Sequence, residues 1–249
     1  MNNPKISVVT VCYNAEDIIE QTILSVINQT YNNIEYIIVD GSSKDGTMSI
    51  VNKYKDKIAI VLSEPDKGVY DAMNKAIRLS TGEWLNFMNA GDTFADNNVI
   101  EKVFKSDIPE KAEFIYSDYY VKNKNGATIR GNCSIEAGVI NHQSSIYKKA
   151  LHHYTGLYLV TKPYIISDLL FFYSVPRELF YKTPIVISSY LGGGISAQGL
   201  WCKKQATYAK GIFYNYSFFK IIRYILLYHL IDIIPDFIRT FIRRIRWAK

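Results

Sequence analysis

The chain has 249 residues, of which 48% are hydrophobic and 21% charged, and its formal net charge is +6. This composition is that of an ordinary globular protein, so collagen-like, disordered and disulfide-framework chains are excluded. Cys12, Cys133 and Cys202 lie far apart without a Cys-x-x-Cys pair, which excludes a zinc site made of cysteines and indicates a reducing compartment.

The sequence contains neither a signal-peptide pattern nor a membrane-spanning pattern. Its first fifteen residues carry one lysine and then alternate like a strand, with no basic region followed by an apolar one. No stretch approaches the ~18–20 uncharged apolar residues that a bilayer requires. We therefore expect a protein without a leader or a spanning helix.

The first 105 residues alternate between strand and helix patterns. Short β-branched runs predict four buried strands of a mainly parallel sheet, at 6–12, 34–40, 58–63 and 83–88. Helical patterns separate them, at 15–29, 47–54 and 69–80. This alternation predicts a layered α/β domain, in which ligands bind beyond the carboxyl ends of the strands.

The middle third of the chain is less regular. Its patterns predict a Tyr-rich strand region at 113–121, a hairpin turn at 124–126, a helix at 165–174 and a strand at 185–196 that runs into three glycines. We expect this part to extend the sheet as a mixed sheet.

From about residue 211 the composition changes. Residues 216–249 hold seven basic and two acidic residues, a net charge of +5 out of the chain's +6. After Pro235, apolar residues alternate with arginines in an amphipathic stripe that suits the surface of an anionic bilayer. A helix packed on its own domain and a dimer helix remain alternatives at this point.

Acidic residues stand at two predicted strand ends. Asp40 closes the second strand and Asp92 follows the fourth. A carboxylate there is costly if it is buried unpaired, so it is expected to bind a base N–H, a ribose hydroxyl or a cation. The alternative for each acid, and equally for Asp45, is a helix N-cap.

Several motifs together resemble one family. The chain resembles family 2 inverting glycosyltransferases with the GT-A fold in four features. These are a strand ending in Tyr13-Asn14, a helix ending in Gln29-Thr30-Tyr31, a strand ending in Asp40-Gly41-Ser42, and the block 63–92 with its Asp-Lys-Gly, Asp-Ala-Met-Asn-Lys and Asn-Ala-Gly-Asp sequences. The resemblance is dense over residues 5–95 and sparse over 140–196. It implies a GT-A, Rossmann-like mixed sheet flanked by helices, to which the composition adds a C-terminal amphipathic helical tail.

The resemblance also implies a donor site for a nucleotide-diphosphate sugar, with UDP the favoured carrier. The residues that match the family's donor-binding positions, with a softer assignment for the last, are Thr10, Tyr13, Asn14, Asp40, Asp66, Lys67, Asn74 and His142. Judged by residue type alone, Lys67 is equally consistent with an ordinary surface lysine. His142 is consistent with a contact to the substrate or to the ligands of a metal.

The metal motif departs from the family pattern. Where the family usually has Asp-x-Asp, this chain reads Asn89-Ala90-Gly91-Asp92, so only Asp92 keeps a charge. Asn89 can offer a carbonyl oxygen, and hard cations accept few protein carboxylates when substrate phosphates supply the other ligands. The resemblance thus implies Mg²⁺ or Mn²⁺ on Asp92 and Asn89, with a metal-independent variant left open.

The family places its catalytic base on an acidic residue that opens a helix near residue 165, which here is Asp168. One positioned carboxylate is the usual base for the acceptor hydroxyl. The alternative is that Asp168 is only an N-cap.

These residues predict an inverting glycosyltransferase that moves a sugar from a nucleotide-diphosphate donor to a saccharide or lipid-linked acceptor in cell-surface polysaccharide biosynthesis. We expect a glycosyltransferase domain at 1–210, with a half that binds the nucleotide sugar (1–105) and a half on the acceptor side (106–210). We expect the basic tail (211–249) to hold the protein peripherally on the inner, cytoplasmic face of the membrane. The alternatives are a non-catalytic nucleotide-sugar-binding protein and, with less support, a nucleotidyltransferase. No nucleic-acid partner is expected, because the basic residues lie in a hydrophobic tail rather than along a polar groove.

Overall fold

The computed structural model describes residues 3–122, 127–161, 166–190 and 200–233. The chain divides into two compact units, the first formed by 1–162 with 167–192 and the second by 163–166 with 193–249. The predicted domain limit at residue 210 stays a prediction, and a helix of the second unit runs across it.

Two sheets form the framework of the first unit. Its described strands are β1 (Ile6–Cys12), β2 (Ile34–Asp40), β3 (Ile60–Ser63), β4 (Trp84–Phe87), β5 (Thr93–Phe94), β6 (Phe114–Tyr116), β7 (Tyr119–Lys122), β8 (Thr128–Gly131), β9 (Ser145–Lys148), β10 (Phe180–Lys182) and β11 (Ser188–Tyr190). The larger sheet has the order β10-β6-β9-β4-β1-β2-β3, and the smaller has the order β5-β11-β7-β8.

The larger sheet is mixed. Only β9 runs antiparallel to its neighbours, between β4 and β6. Strand β1 pairs in parallel with β2 on one side and with β4 on the other, and its last residue, Cys12, lies beside Asp40. The carboxyl ends of β1, β2 and β4 therefore meet at one edge of the sheet, as the sequence predicts.

Helices cover both faces of this sheet. The helices of the first unit are α1 (Ile19–Ile27), α2 (Thr47–Lys53), α3 (Val69–Leu79), α4 (Val99–Lys105), α5 (Leu151–Thr155) and α6 (Ser167–Ser174), and those of the second are α7 (Leu200–Phe213) and α8 (Phe218–Ile233). Short 3₁₀ turns lie at Lys55–Lys57, His142–Ser144 and Arg177–Leu179.

Alternation along the strands builds two cores. In β1, Val9 and Val11 point toward α3, whereas Ile6 and Val8 point toward the side that carries α1 and α4. All four side chains are at most 6% exposed, as expected for a strand of a sheet that is covered on both faces. The mixed α/β layering predicted from the sequence is confirmed.

Most predicted elements fall close to their observed bounds, with one clear difference. The region 113–121 forms two strands, β6 and β7, which belong to different sheets. Between these two strands Asp118 is buried. Its carboxylate forms ion pairs with Lys182 and Arg130 and accepts a hydrogen bond from the Cys133 N–H. This internal ion cluster holds the chain at the crossing between the sheets. The predicted turn at 124–126, the three glycines and the helix after Pro235 lie outside the described residues.

A buried carboxylate also ties β2 to its neighbours. Glu35 is 6% exposed and accepts hydrogen bonds from Ser7 Oγ, from Lys5 Nζ, and from the backbone and hydroxyl of Thr81. Burial acts to raise the pKa of Glu35, but these hydrogen bonds outweigh it and lower the pKa to about 2. Because this lies below the ordinary value of 4.5, the ionised group stabilises the fold above pH 4.5, and this stabilisation is lost as the pH falls toward 2.

We expect Glu35→Gln to lower the free energy of unfolding at pH 7 by about 2–3 kcal/mol, because an amide cannot accept all of these bonds. The difference between the wild type and the variant should shrink as the pH is lowered to about 3. Urea titrations followed by circular dichroism at both pH values measure it. The exposed Glu110→Gln is the matched control, and an equal loss in both variants would contradict the assignment.

Candidate functional site

Tyr13 and Asp66 come together over a glycine at the edge formed by the ends of β1 and β2. A methyl group placed on Gly41 would lie 2.5 Å from Asp66 Oδ2 and 3.3 Å from Tyr13 Cδ2. A larger residue at position 41 would therefore force the Asp66 carboxylate to shift. Tyr13 is 62% exposed, so its ring offers a free aromatic face at this edge.

Asp40 lies beneath this group and is fully buried. Its carboxylate accepts hydrogen bonds from the Ser43 N–H at 3.0 Å, from the Ser43 hydroxyl, and from Ser63 Oγ at 2.6 Å. A ligand N–H can reach this carboxylate only if one of these donors turns away.

Asn14 fastens the loop that follows β2. Its backbone N–H donates to Ser43 Oγ at 2.8 Å, and its Oδ1 accepts from the Lys44 N–H at 2.9 Å. Asn14 and Ser42 both have positive φ angles, of 47° and 64°. Such conformations in residues other than glycine concentrate at ligand-binding edges, where the surrounding bonds hold them.

The turn before α3 is fixed by its two acids. Asp66 Oδ1 accepts from the Gly68 N–H at 2.8 Å, and Asp71 accepts from the Lys67 N–H at 3.0 Å. Lys67 itself is exposed, at the same edge as Tyr13 and Asp66.

Thr10 and Asn74 lie deeper than the sequence suggests. Thr10 is fully buried and donates to the Met88 carbonyl at 2.8 Å. Asn74 is 3% exposed and makes two hydrogen bonds to the backbone of Tyr158, at 2.8 and 2.9 Å. Both side chains join elements of the framework and do not reach the edge.

A chain of hydrogen bonds unites three of the predicted site residues with a tyrosine. Asn89 Nδ2 lies 2.9 Å from His142 Nε2, and His142 Nδ1 lies 3.1 Å from Asp168 Oδ2. The Tyr70 hydroxyl donates to Asp168 Oδ1 at 2.8 Å. These residues come from the end of β4, the 3₁₀ turn before β9, the first turn of α6 and the first turn of α3.

This chain lies at the same edge as Tyr13 and Asp66. The Ala90 N–H donates to the Val11 carbonyl, which places Asn89 beside the end of β1. On the other side, Tyr70 is four residues beyond Asp66 at the start of α3. Two separate connections therefore bring Asp168 to the carboxyl ends of the strands.

Asp168 is held as a carboxylate. Burial acts to raise its pKa, but the hydrogen bonds from His142 and Tyr70 outweigh burial, so the pKa of Asp168 lies below its usual range. Burial and the charge of Asp168 raise the pKa of Tyr70, which therefore stays a hydroxyl donor. The Asp168 side chain keeps 17% of its surface exposed.

Asp92 is 5% exposed, and one of its carboxylate oxygens accepts from Gln143 Nε2. Its backbone carbonyl accepts from Thr22 Oγ1 at 2.7 Å, which fixes the turn to α1. The nearby Asn89 Oδ1 is buried and has no hydrogen-bond partner within the part of the chain that the structure describes. A cation here would find one carboxylate and one amide oxygen, since the described residues hold no group of three or more His, Cys, Asp or Glu suited to a metal.

Sequence reasoning missed Tyr70, Ser43 and Ser63 as parts of the site. Ser43 lies in the polar stretch after β2, so its position at the end of a strand is a signal that could have identified it. Tyr70 sits in a helical pattern that reads as core, and Ser63 only ends a strand run. No pattern along the chain indicates that Tyr70 or Ser63 donates a hydrogen bond to an aspartate.

A cavity of about 570 Å³ lies elsewhere in the first unit. It is lined by Glu113, Leu151, Tyr154, Thr155, Ser174, Pro176 and Leu179. Glu113 precedes β6, and α5 follows the antiparallel β9, so this cavity lies at the opposite edge of the sheet from Tyr13. None of the predicted site residues lines it.

In its described residues, 166 and 200–233, the second unit contains a pair of helices. Ile221 of α8 faces Gly211 of α7, where an added methyl group would come within 3.5 Å of it. The outer side of α8 exposes Phe219, Leu226 and Leu230. Among the described residues, no helix has the length and apolar character needed to cross a bilayer.

Comparison with known families decides the class of protein. The family model "Glycosyl transferase family 2" matches residues 7–169, which span β1 through the start of α6. The chain belongs to glycosyl transferase family 2. The predicted family and the predicted enzyme class, a glycosyltransferase, are confirmed.

A curated relative agrees with this family. The Escherichia coli protein WfaP, named as a UDP-Glc:alpha-D-GlcNAc-diphosphoundecaprenol beta-1,3-glucosyltransferase, is 35% identical over 118 residues, covering 47% of this chain and 47% of its own. This family 2 glycosyltransferase thus aligns with about half the length of that relative.

Two solved structures share the fold. TarS 1–349 from S. aureus in complex with UDP-GlcNAc is 17% identical with a TM-score of 0.68, and the match covers 83% of this chain and 66% of that one. The mannosyltransferase PcManGT from Pyrobaculum calidifontis, in complex with GDP-Man and Mn²⁺, is 16% identical with a TM-score of 0.67, covering 85% of this chain and 65% of that one. At these identities the likeness shows the GT-A fold alone, and the predicted fold class of this family 2 glycosyltransferase is confirmed.

Proposed function

We propose that the chain transfers a sugar from a nucleoside-diphosphate donor, with UDP favoured, to a hydroxyl of a lipid-linked saccharide in cell-surface polysaccharide synthesis, with inversion at the anomeric carbon. The observation that carries this proposal is the convergence of Asp168, held by His142 and Tyr70, with Tyr13 and Asp66 at one edge of the sheet. The printed names of WfaP and of the TarS complex, with their UDP-linked sugars, support the choice of donor.

The donor's nucleoside is assigned to the ends of β1 and β2. The exposed ring of Tyr13 offers a stacking surface for the base, and Asp40 accepts a base N–H once a serine donor turns away. Asn14 shapes the loop, and Asp66 and Lys67 stand where ribose and phosphates would follow. Thr10 and Asn74 act from beneath, by holding this edge in place.

Asp168 is assigned as the base. Its carboxylate takes the proton of the acceptor hydroxyl while that oxygen forms a bond to the anomeric carbon. The bond from this carbon to the diphosphate oxygen breaks, and its electron pair leaves with the nucleoside diphosphate. Because the base and the leaving group stand on opposite sides of the sugar, the anomeric configuration inverts.

A divalent cation fits the remaining residues. Asp92 and Asn89 Oδ1, which has no hydrogen-bond partner among the described residues, would hold Mg²⁺ or Mn²⁺, with the donor's phosphates completing the ligand set. When bound, the cation neutralises charge that develops on the departing diphosphate. The Mn²⁺ in the PcManGT complex supports a cation in this fold.

The acceptor is assigned to the membrane surface. Residues 216–249 carry most of the net positive charge, and α8 exposes an apolar side. We assign the protein to the inner face of the cell membrane, held peripherally by this segment. The non-catalytic alternative predicts binding of a nucleotide diphosphate without turnover on any acceptor.

Replacing Tyr13 tests the assignment of the donor edge. We expect Tyr13→Ala to weaken UDP binding about 10-fold or more in a calorimetric titration with Mn²⁺, because base stacking is worth ~1–3 kcal/mol. Tyr154→Ala is the matched control, since Tyr154 is 83% exposed and lines the cavity at the opposite edge. The wild-type protein, incubated with bacterial membranes and a panel of nucleotide sugars, should release nucleoside diphosphate from one of these donors. Equal binding by the two variants would refute the donor edge, and binding without release would favour the non-catalytic alternative.

A further inference from the structure

Asn89 occupies a position where the family pattern has an aspartate, and its contacts suggest why an amide stands there. We propose that Asn89 is a positioning residue for the base: its amide N–H fixes the tautomer of His142, which in turn orients the Asp168 carboxylate. This inference rests on the proposed role of Asp168, but it can be tested without any substrate.

The direction of the hydrogen bonds follows from the Asp168 end. An ionised carboxylate has only lone pairs to offer, so the ring nitrogen that faces it, His142 Nδ1, must carry a hydrogen. In a neutral imidazole the other nitrogen, Nε2, then carries a lone pair and needs a donor. The Asn89 amide supplies that donor at 2.9 Å.

An aspartate at residue 89 would have no hydrogen to give. It would place an acceptor against His142 Nε2 and favour a hydrogen on that nitrogen, so the form with its only hydrogen on Nδ1 would be lost. With asparagine, the amide nitrogen serves His142 while Oδ1, buried and without a partner among the described residues, stays available for a ligand. One side chain thereby joins the positioning of the base to the cation site.

Tyr70 completes the arrangement. Its hydroxyl donates to Asp168 Oδ1, and His142 donates to Oδ2, so each carboxylate oxygen has a side-chain donor, and the Leu169 backbone N–H adds a hydrogen bond to the group. The carboxylate keeps a further lone pair, and the exposed part of the side chain is where the acceptor hydroxyl can reach it. The two donors hold the carboxylate plane and leave the proton-accepting positions open.

The structure contains an internal reference for this tautomer. His152 Nδ1 donates to the Gly156 carbonyl at 2.9 Å, and its Nε2 lies 3.1 Å from the Tyr147 hydroxyl. Burial lowers the pKa of His152 to about 4, so this ring is neutral at pH 7 with its hydrogen on Nδ1. His152 should therefore give the same pattern that we infer for His142, from a site that does not touch Asn89.

Two-bond proton–nitrogen NMR spectra of protein labelled with ¹⁵N-histidine, recorded without metal or nucleotide at pH 7, test the inference. We expect His142 to show a bare Nε2 and a protonated Nδ1, with its signals identified by their loss in His142→Asn. In Asn89→Asp the bare Nε2 signal of His142 should disappear, while His152 is unchanged. Asn52→Asp, an exposed position in α2, adds the same charge elsewhere and should leave both histidines as they are.

A wild-type His142 with its hydrogen on Nε2 or on both nitrogens, or one unaffected by Asn89→Asp, would overturn the inference. A kinetic arm uses the active donor: Asn89→Asp should lower kcat ~10–100-fold with a smaller change in the donor KM. His142→Asn, whose amide can still donate to Asp168, should retain more activity than His142→Ala, and equal losses would contradict the positioning role. If the tautomer is as inferred but no donor is turned over, the proposed function fails, and only the hydrogen-bond chain from Asn89 through His142 to Asp168 stands.

Discussion

Asp168→Asn is expected to lower kcat for sugar transfer ~10²–10⁴-fold, the loss typical of removing a positioned base. The amide keeps the size of the side chain and can still accept a hydrogen bond from Tyr70, so the first turn of α6 should fold as before. Because the pKa of Asp168 lies below its usual range, the wild-type carboxylate is ionised throughout a neutral assay. The loss should therefore be the same at pH 6.5 and pH 8.

The measurement is release of nucleoside diphosphate at saturating donor, with donor affinity measured separately by titration. Affinity should change by no more than a few-fold, since the proposed role of Asp168 is on the acceptor. Asp107→Asn, on an exposed loop after α4, is the matched control and should keep full activity. Near-normal turnover by Asp168→Asn would leave the carboxylate as a helix cap and remove it from the mechanism.

The framework of this site was predictable because it depends on local patterns. Strands β1 and β2 have the bounds that their β-branched runs predict, since both are buried on two faces; the run of β1 is followed by Tyr13-Asn14 and that of β2 ends at Asp40. Helix α1 is shorter than its apolar pattern. The pattern continues through Ala15 and Ile18, but the chain there makes a turn in which the Ala15 carbonyl accepts from the Ile18 and Ile19 N–H groups.

The contacts that join the candidate site residues depend on tertiary folding. His142 and Asp168 are 26 residues apart, and Tyr70 and Asp168 are 98 apart, so no spacing rule links them. The direction of a side chain is equally hidden: Asn74 lies on the helix that follows the Asp-Lys-Gly turn, yet its amide binds the Tyr158 backbone rather than the edge. Residue types at strand ends indicate where a ligand binds, whereas packing decides which of them face it.

Replacing the exposed apolar residues of α8 should release the protein from anionic membranes. Phe219, Leu226 and Leu230 recur along one side of the helix, and Arg223 lies among them, exposed as well. An apolar stripe with a basic residue is the pattern of a helix that lies in the bilayer interface. The opposite side carries Ile221, which faces α7, so the contact between the two helices does not use the exposed stripe.

We expect Phe219→Glu with Leu226→Glu to weaken binding to vesicles that contain phosphatidylglycerol at least ~100-fold, because burial of each large apolar side chain is worth ~1.5–3 kcal/mol. Co-sedimentation with vesicles measures this. The control, Leu79→Glu with Ile129→Glu, makes the same charge change at two exposed positions of the first unit and should bind like the wild type. Wild-type binding should also fall on vesicles of phosphatidylcholine alone, since arginine and lysine then lose their anionic partners.

Two outcomes would contradict a membrane role for α8. In the first, the α8 variant binds anionic vesicles as tightly as the wild type. In the second, the wild type is a dimer in sedimentation velocity without vesicles and the α8 variant is a monomer, which would make this stripe an interface between two copies of the chain. A monomeric wild type that binds anionic vesicles through α8 would place the enzyme where a lipid-linked acceptor is held, which is the condition that the proposed reaction requires.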